Sequence, residues 1–421
     1  MKKIFVSIAL FVSILNAYSQ YCNTNRFTEA PVFSNNQIDS DRGVIYGNAL
    51  NYNGQYQDLI MNIHSPKLLN DTLEKRPLIV LMHGGGFLSG KLFQLDSVCI
   101  EFAKRGFVAV TIEYRLGWSA AYNCQNTDSS NVKSINKAIY RSMQDLHASL
   151  RYLVNNHLQY KIDTAWIFAG GVSAGAFAAV DLAFISQQQF FTRFPYCQSL
   201  GNLNTSGNNL TNIFTLKGLF HNWGSIIDID YITPANNIPM IAFAGEMDIT
   251  SPIDSGYYQG CNKFDLMWGS RAIYNKINSL GGCTELNVDI DGGHGVYNQT
   301  SAQNLYRVNR ASCFFKNLFC EDCTSVYNTD SIPANCSYVY TRTEPRKNNE
   351  VKIYPNPGKG YFTFKSDYTP GSRIQVYNLT GMLVYASEVT SENQNLDLLN
   401  FEEGCYVLRV NDFAGKIVIV K

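Results

Sequence analysis

The pentapeptide Gly171-Val172-Ser173-Ala174-Gly175 is the feature that most restricts how this chain can fold. It follows the apolar run Ala165–Ala169 and opens an alanine-rich stretch with helical character. A sharp turn from strand to helix holds its central serine in a strained, exposed conformation. Only glycine-sized neighbours two residues on either side let the strand and the helix pack that closely. The pattern therefore predicts Ser173 as a nucleophile at the end of a buried strand.

Length and composition indicate a globular protein of two domains. The chain has 421 residues, more than a single domain usually contains, and 45% of them are hydrophobic and 13% aromatic. Lys+Arg and Asp+Glu both number 34, so the formal net charge is zero. This balance gives no indication of a nucleic-acid partner or of an anionic membrane partner.

The N-terminus has the pattern of a secretory signal peptide. Met1-Lys2-Lys3 is followed by the apolar run Ile4–Leu15 and then by small residues at Ala17 and Ser19. The run is shorter than the roughly 20 residues that a membrane-spanning helix needs. We therefore predict a signal peptide over residues 1–19 and an exported mature chain with no membrane span.

The cysteine usage fits an oxidising compartment. An odd count of eleven leaves at least one thiol without a partner in the chain. Cys320 and Cys323 have the spacing of a redox or zinc motif, but they follow a predicted helix and no second pair of this kind accompanies them. We predict structural disulfides and leave their connectivity open.

Alternating strand-like and helix-like segments from Val44 to Cys320 predict an α/β domain with a mostly parallel sheet. The strand segments are short, apolar and rich in branched residues, as expected for strands covered on both faces. The predicted strands are Leu78–Met82, Phe107–Ile112, Ala165–Ala169, Gly218–Phe220, Pro239–Ala244 and Leu286–Ile290, with an edge hairpin of Val44–Leu50 and Tyr56–Ile63. The predicted helices are Ser134–Asn155, Ser173–Ile185, Ser270–Leu280 and Tyr306–Leu318.

Three further segments depart from this alternation. Ser186–Thr215 is rich in polar residues, and two interpretations stay open for it: a solvated loop, or a lid over the site beside the nucleophile helix. Residues 321–350 lose periodicity and are predicted as a linker. Residues 351–421 read as short strands with glycine-marked turns, which predicts a small β-sandwich.

A serine hydroxyl needs a base within hydrogen-bond reach, and the base needs an orienting acid. Loops converge at the carboxyl edge of a parallel sheet, so both partners should follow strands. His294 follows the strand Leu286–Ile290 between flanking glycines, and Asp248 follows the strand before it. We predict His294 as the base and Asp248 as the acid. Two other acids remain open as alternatives to Asp248, namely Glu246 and Asp254.

Attack on a carbonyl group also requires donors for the developing oxyanion, and fixed backbone N–H groups serve best. The glycine loop His83-Gly84-Gly85-Gly86 directly follows a predicted strand. We predict the N–H groups of Gly85, Gly86 and Ala174 as the oxyanion donors. His83 is predicted to brace this loop, and structural roles are predicted for His64, His147, His157 and His221.

The order Ser…Asp…His behind a His-Gly-Gly-Gly loop resembles the carboxylesterase-like members of the α/β-hydrolase superfamily. Glu113–Gly117, Gln144-Asp145-Leu146 and Gly170–Ala176 add to the likeness. The resemblance implies an eight-stranded, mostly parallel sheet flanked by helices, an acyl-enzyme mechanism, and no metal or other cofactor. Esterases of the cholinesterase kind have an acidic residue before the serine, whereas this chain has Val172. The departure favours the smaller feruloyl- or acetyl-esterase-like branch.

The C-terminal segment carries a second resemblance. Tyr354-Pro355-Asn356-Pro357, Gly404–Val410 and the terminal Lys416–Lys421 are similar to a type IX secretion C-terminal sorting domain of Bacteroidetes. The likeness implies that the type IX machinery acts on residues 351–421 and exports the protein to the cell surface or beyond. A carbohydrate-binding sandwich is the alternative, but all four tryptophans lie earlier in the chain.

These patterns together predict a secreted serine carboxylic-ester hydrolase. Trp118, Tyr122 and Trp223 near strand ends favour aryl or acetyl esters of plant polysaccharide, or small esters. The alternative interpretation of these three side chains is that they pack in the core. Hydrolysis of a hydroxyalkanoate or aromatic polyester is the first alternative. A serine peptidase is less favoured, since no propeller-type domain accompanies the site. A non-catalytic adhesion module is also less favoured, since such relatives usually lose the serine or the histidine.

Overall fold

Fully buried strands form the centre of the N-terminal part of the protein. The computed structural model describes residues 20–121, 123–329, 336, 351–366, 371–378, 382–410 and 413–421. The predicted signal peptide, residues 1–19, and most of the predicted linker therefore lie outside the described residues. The chain divides into two units, Met1–Val339 and Tyr340–Lys421, which we describe separately.

The first unit is built on one large sheet. In the described part of the chain, its order is β1-β2-β4-β3-β5-β6-β8-β11-β12, with β1 and β2 antiparallel and the strands from β4 onward parallel. A small second sheet has the order β7-β10-β9. The strands are β1 (Ile38–Leu50), β2 (Tyr56–Pro66), β3 (Arg76–Met82), β4 (Val108–Ile112), β5 (Ile162–Val172), β6 (Leu216–Asn222), β7 (Ser225–Ile226), β8 (Met240–Gly245), β9 (Ser255–Tyr257), β10 (Leu266–Gly269), β11 (Thr284–Asp289) and β12 (Val326–Asn328).

Helices cover both faces of the large sheet. They are α1 (Asp96–Lys104), α2 (Ser129–Asn155), α3 (His157–Tyr160), α4 (Ala174–Phe184), α5 (Gln187–Arg193), α6 (Ser270–Ser279) and α7 (Ser301–Phe319). Successive side chains of a strand point to opposite faces. Leu78, Val80 and Met82 of β3 therefore pack in the core that contains α2 and α4. Ile79 and Leu81 pack in the other core, with α1 and α7. The predicted α/β-hydrolase fold is confirmed.

The predicted strands and helices are present, with ends that shift by a few residues. The implied sheet of eight strands is wrong, because the described residues place nine strands in it. The extra strand, β12, pairs in parallel with β11 and lies inside the segment predicted as a linker. Three residues are too few to produce a periodic pattern, and the disulfide Cys283–Cys323 joins the segment to the start of β11.

The structure describes all eleven cysteines. Four disulfides form: Cys22–Cys320, Cys124–Cys261, Cys283–Cys323 and Cys313–Cys336. Cys320 and Cys323 thus bind different partners, which agrees with a structural role. The thiols of Cys99, Cys197 and Cys405 are free.

Ser186–Thr215 combines a helix with a loop. Its first part forms α5, and its second part is held against α2 and β1. Arg151 of α2 donates to the carbonyl oxygens of Leu203 and Ser206, at 2.9 and 2.7 Å. The Asn208 amide donates to the Tyr46 carbonyl oxygen at 2.8 Å. Eight of residues 201–215 are exposed, as the loop interpretation predicts, and these hydrogen bonds attach the loop to the fold.

The second unit consists of two small antiparallel sheets around one core, as the turn pattern predicted. In its described residues the sheet orders are β13-β14-β17 and β16-β15-β18-β19. Phe362, Val376 and Leu408 are among its fully buried residues. The strands are β13 (Val351–Tyr354), β14 (Tyr361–Ser366), β15 (Arg373–Tyr377), β16 (Leu383–Glu388), β17 (Asn393–Asp397), β18 (Gly404–Val410) and β19 (Phe413–Ile419). Along the described stretches of both units, no helix combines the length and apolar character that a membrane crossing requires.

A buried ion pair joins two of the motifs that carried the first resemblance. The Arg115 backbone N–H and Nε donate to the Asp145 carboxylate at 2.7 and 2.9 Å. The Asp145 side chain is fully buried and that of Arg115 is 4% exposed. The pair fixes the segment after β4 against α2.

Asp145→Ala should lower the free energy of unfolding of the full chain by about 3–5 kcal/mol, because it leaves the Arg115 guanidinium buried without its counter-ion. Urea denaturation followed by tryptophan fluorescence measures this change. Lys276→Ala is the matched control, since its partner Asp230 is 85% exposed, and its cost should stay below about 1 kcal/mol. Equal costs for the two variants would contradict the assignment.

Candidate active site

Ser173 lies at the turn between β5 and α4 with φ 53° and ψ −121°, a conformation that L-residues rarely adopt. The two glycines of the pentapeptide allow the turn. A Cβ atom on Gly171 would lie 2.4 Å from the Met82 carbonyl oxygen, and one on Gly175 would lie 2.2 Å from the same atom. The end of β3 therefore approaches the turn closely enough to exclude any side chain at either position.

A network that the sequence analysis missed supports this turn from β6. The Ser173 N–H donates to the Asn222 carbonyl oxygen at 2.9 Å, and the Asn222 side chain donates to the Gly171 carbonyl oxygen at 2.8 Å. Arg307, fully buried in α7, donates to Asn222 Oδ1 at 2.9 Å and to the Tyr297 carbonyl oxygen at 2.9 Å. Burial lowers the pKa of Arg307 to about 9. These residues are far apart in sequence, so no local motif could reveal the network.

The structure brings Ser173, His294 and Asp248 together in one hydrogen-bonded chain. Ser173 Oγ lies 2.8 Å from His294 Nε2, and His294 Nδ1 lies 2.7 Å from Asp248 Oδ2. The other oxygen of Asp248 accepts from the N–H groups of Thr250 and Ser251, at 2.8 and 2.9 Å. The Asp248 side chain is 1% exposed, whereas that of His294 is 27% exposed. The imidazole is thus held from the protein side and open on the solvent side.

Backbone hydrogen bonds between two loops set the distance between His294 and Asp248. The Glu246 N–H donates to the Asp289 carbonyl oxygen, and the Met247 N–H donates to the Gly292 carbonyl oxygen, both at 2.9 Å. The loops after β8 and β11 are therefore joined directly before the acid and the imidazole. The two alternative acids, Glu246 and Asp254, both form ion pairs with Arg271.

The glycine loop lies against Ser173. A Cβ atom on Gly84 would be 3.2 Å from Ser173 Cβ, and both Gly85 and Gly86 have positive φ, at 112° and 60°. No described residue accepts a hydrogen bond from the N–H groups of Gly85, Gly86 or Ala174. The three predicted donors are thus available to a ligand.

Aromatic and histidine side chains brace the glycine loop. The His83 ring stacks on Tyr114 with centroids 4.4 Å apart, and His83 Nδ1 lies 2.8 Å from the Gly84 carbonyl oxygen. Burial lowers the pKa of His83, which keeps this imidazole neutral. Trp118 Nε1 donates to the Gly86 carbonyl oxygen at 2.8 Å. His83 therefore supports the loop, as predicted, and belongs to the site's framework.

The three aromatic residues named from the sequence differ in their placement. Trp118 contacts the glycine loop, Tyr122 lies outside the described residues, and Trp223 is 3% exposed. The Arg307 guanidinium lies 4.9 Å from the centre of the Trp223 ring. The prediction that Trp223 faces a substrate is therefore not supported by its position, because the ring is packed into the core.

Two parts of the chain each match the model of a known protein family. Residues 61–212 match the model of the family described as BD-FAE, and residues 352–421 match that of a secretion system C-terminal sorting domain. One part of the chain is thus similar to the esterase-like BD-FAE family, and its C-terminal part is similar to a sorting domain of type IX secretion. Both resemblances seen in the sequence are confirmed. The sorting domain indicates export to the cell surface or the extracellular space.

Three curated proteins match shorter segments. The ulvan lyase NLR42 of Nonlabens ulvanivorans is 33% identical over 72 residues, which is 17% of this chain and 14% of that protein. The neuroligin-like protein glit-1 of Caenorhabditis elegans is 29% identical over 118 residues, 28% of this chain and 15% of that protein. Beta-agarase A of Zobellia galactanivorans is 34% identical over 80 residues, which is 19% of this chain and 15% of that protein. The chain spans about one seventh of the length of these relatives.

Similar solved structures are esterases. Esterase 2 of Thermogutta terrifontis, bound to propionate, is 17% identical, with 65% of this chain and 92% of that chain covered at a TM-score of 0.43. A truncated carbohydrate esterase from gut microbiota is 13% identical, with 70% of this chain and 99% of that chain covered at a TM-score of 0.45.

Gly175→Ala should destabilise the protein by about 3 kcal/mol, because the added methyl group overlaps the Met82 carbonyl oxygen. Thermal or urea unfolding of the full chain measures the loss. Gly281→Ala is the control: nothing lies within 4 Å of its Cβ position, so only its φ of 76° should cost about 1–2 kcal/mol. A Gly175→Ala variant as stable as the control would contradict the close packing.

Proposed function

We propose that the protein is a secreted serine carboxylic-ester hydrolase that works through an acyl-enzyme. The observation that carries the proposal is the hydrogen-bonded chain from Ser173 through His294 to the buried Asp248, next to three backbone N–H groups with no described acceptor. Such an arrangement supplies a nucleophile, a base, an orienting acid and an oxyanion site in one place.

In the proposed first half-reaction, His294 Nε2 takes the proton of Ser173 Oγ as the oxygen attacks the ester carbonyl carbon. The negative charge that moves to the carbonyl oxygen is stabilised by the N–H groups of Gly85, Gly86 and Ala174, which are fixed and need no reorganisation. The tetrahedral intermediate then collapses, the bond to the alkoxy oxygen breaks, and His294 donates its proton to the leaving alcohol. An acyl group remains on Ser173.

In the second half-reaction, a water molecule gives a proton to His294 and attacks the acyl carbon. Collapse of the second intermediate releases the carboxylic acid and returns the proton to Ser173. Asp248 holds the imidazole in the tautomer that presents a free Nε2, and it stabilises the imidazolium that forms. These steps need no metal or other cofactor.

We propose aryl or acetyl esters of plant polysaccharide, or small esters, as the substrates. The 27% exposure of the His294 side chain supports this class, since an open site accepts an ester attached to a bulky polymer. A hydroxyalkanoate or aromatic polyester is the second candidate on the same ground. Rates on methyl ferulate, acetylated xylan and a hydroxyalkanoate polyester would rank these substrates.

We propose that the catalytic domain begins at residue 20, after a signal peptide of residues 1–19. We propose an end near residue 339 in place of the predicted residue 320, since β12 pairs with β11 and Cys313 is bonded to Cys336. Residues 351–421 form the domain on which the type IX secretion machinery would act.

A fluorophosphonate probe should modify the purified mature protein at Ser173, since only an activated serine reacts readily with it. Peptide mapping by mass spectrometry identifies the modified residue. Ser173→Ala should abolish labelling and lower kcat for ester hydrolysis at least ~10⁴-fold. A folded wild-type protein that takes no label would reject the esterase and favour the adhesion module. Faster cleavage of amides than of esters would favour the peptidase.

Asp248→Asn should lower kcat roughly 10⁴-fold, because the amide favours the wrong tautomer of His294. Glu246→Gln is the matched control, since Glu246 pairs with Arg271 and not with His294. The control should keep its activity within about twofold, as expected for a residue outside the site. A larger loss of activity in Glu246→Gln than in Asp248→Asn would show that Asp248 is not the orienting acid.

A further inference from the structure

Three aromatic side chains, Trp118, Tyr258 and Phe264, form a cluster beside the glycine loop, which we call the aromatic wall. Their ring centroids are 5.5–6.4 Å apart, with interplanar angles of 72–84°. Trp118 is bonded to Gly86 through its indole N–H. The Tyr258 hydroxyl lies 3.0 Å from the position that a Cβ atom on Gly86 would occupy. The wall therefore borders one of the proposed oxyanion donors.

The members of the wall differ in exposure. Trp118 is 6% exposed and serves as the base of the cluster, whereas Tyr258 and Phe264 are half-buried and retain a free surface. The Tyr258 hydroxyl makes no hydrogen bond with any residue that the structure describes. Burial also raises the pKa of Tyr258, so the hydroxyl keeps its proton and can donate. The wall thus offers apolar ring surface together with one unused donor.

The disulfide Cys124–Cys261 fixes the wall. It joins the segment that follows Trp118 to the loop that carries Tyr258 and Phe264. A second bond between the same segments runs from Lys263 Nζ to the Gln125 carbonyl oxygen, at 2.6 Å. Two loops from different parts of the chain are therefore held together directly beside the site.

Tyr258 and the proposed acid both lie in the segment between β8 and β10, on either side of β9. The Gln259 N–H donates to the Thr250 carbonyl oxygen at 3.3 Å, and the Thr250 N–H donates to Asp248 at 2.8 Å. The position of the wall is therefore fixed relative to the reacting atoms as well as to the glycine loop.

We propose that the aromatic wall binds the planar aromatic group of an aryl ester, with Tyr258 and Phe264 as specificity-determining residues that the Cys124–Cys261 disulfide holds in place. The proposal rests on the proposed esterase function. Aromatic rings prefer edge-to-face or offset contact, and the uncovered part of the Tyr258 and Phe264 rings would make such a contact with a planar partner. The Tyr258 hydroxyl would donate to an oxygen substituent of the bound ring or to the ester itself.

The test compares kcat/KM of the full chain on three esters: methyl cinnamate, with the ring on the acyl side; phenyl acetate, with the ring on the alcohol side; and ethyl acetate, with no ring. In Tyr258→Ala and in Phe264→Ala, the ratio of at least one aryl ester to ethyl acetate should fall about tenfold. The affected ester shows which side of the substrate the wall binds. Ratios that stay within twofold of the wild-type values, or equal losses on all three esters, would overturn the proposal.

Two controls distinguish a failure of this proposal from a failure of the proposed esterase function. Tyr56→Ala removes an aromatic ring that is 76% exposed on another part of the fold, and it should leave all three rates unchanged. Fluorophosphonate labelling of Ser173 is measured in each variant. If the wild-type protein takes no label, the proposed esterase function is wrong. If labelling is normal and the ratios of kcat/KM between aryl esters and ethyl acetate do not change, only the proposed role of the aromatic wall is wrong.

The double variant Cys124→Ser/Cys261→Ser tests the disulfide. It should lower the ratio of kcat/KM between the affected aryl ester and ethyl acetate, as the Tyr258 and Phe264 variants do, because the two loops lose their covalent connection. Cys405→Ser is the control, since that thiol is free and lies in the other unit. A folded double variant with wild-type ratios would overturn the role of the disulfide. If the double variant does not fold, the ring substitutions still decide the proposal.

Discussion

The close approach of the Met82 carbonyl oxygen to Gly171 and Gly175 is the constraint on which the rest of the site depends. It requires glycine at both positions, and it brings the end of β3 next to the turn that bears Ser173. The same approach places the glycine loop, which continues from Met82, against the serine side chain. One packing contact between β3, β5 and α4 thus sets both the conformation of the proposed nucleophile and the position of the proposed oxyanion donors.

The remaining parts of the site are fixed by contacts around this turn. Backbone hydrogen bonds join the loops that carry Asp248 and His294, and the buried Arg307 connects α7 to Asn222 beneath the serine. The buried pair of Arg115 and Asp145 holds the segment before Trp118 against α2. The proposed attack on an ester that is part of a larger molecule would use the exposed side of the His294 imidazole. These contacts hold the framework in place without a ligand, and the proposed mechanism relies on such preorganisation.

The sequence could predict those features that leave a local pattern. Eight of the nine strands of the large sheet follow from their apolar patterns, because a strand covered on both faces must be apolar along its length. Helices α2, α4, α6 and α7 follow from their sequence patterns, whereas α1, α3 and α5 do not. The two glycines around Ser173 mark a turn that excludes side chains, and Gly295 after His294 has a positive φ of 88° that favours glycine. Trp223 shows the limit of this reasoning: an aromatic residue at a strand end can as well face the core, and its position beneath Arg307 could not be read from its neighbours.

The sequence by itself determined the α/β fold and the sorting domain at the C-terminus. It also predicted a serine and a histidine that could act together, with three acids as candidates for the third member. Each of these follows from the order of residues along the chain and from the backbone geometry that short motifs impose. Only the tertiary structure decided the disulfide pairs, the ninth strand, the choice of Asp248 over Glu246 as the partner of His294, and the meeting of Trp118 with Tyr258. These depend on contacts between segments far apart in the chain, and such contacts impose no regular spacing on the sequence that forms them.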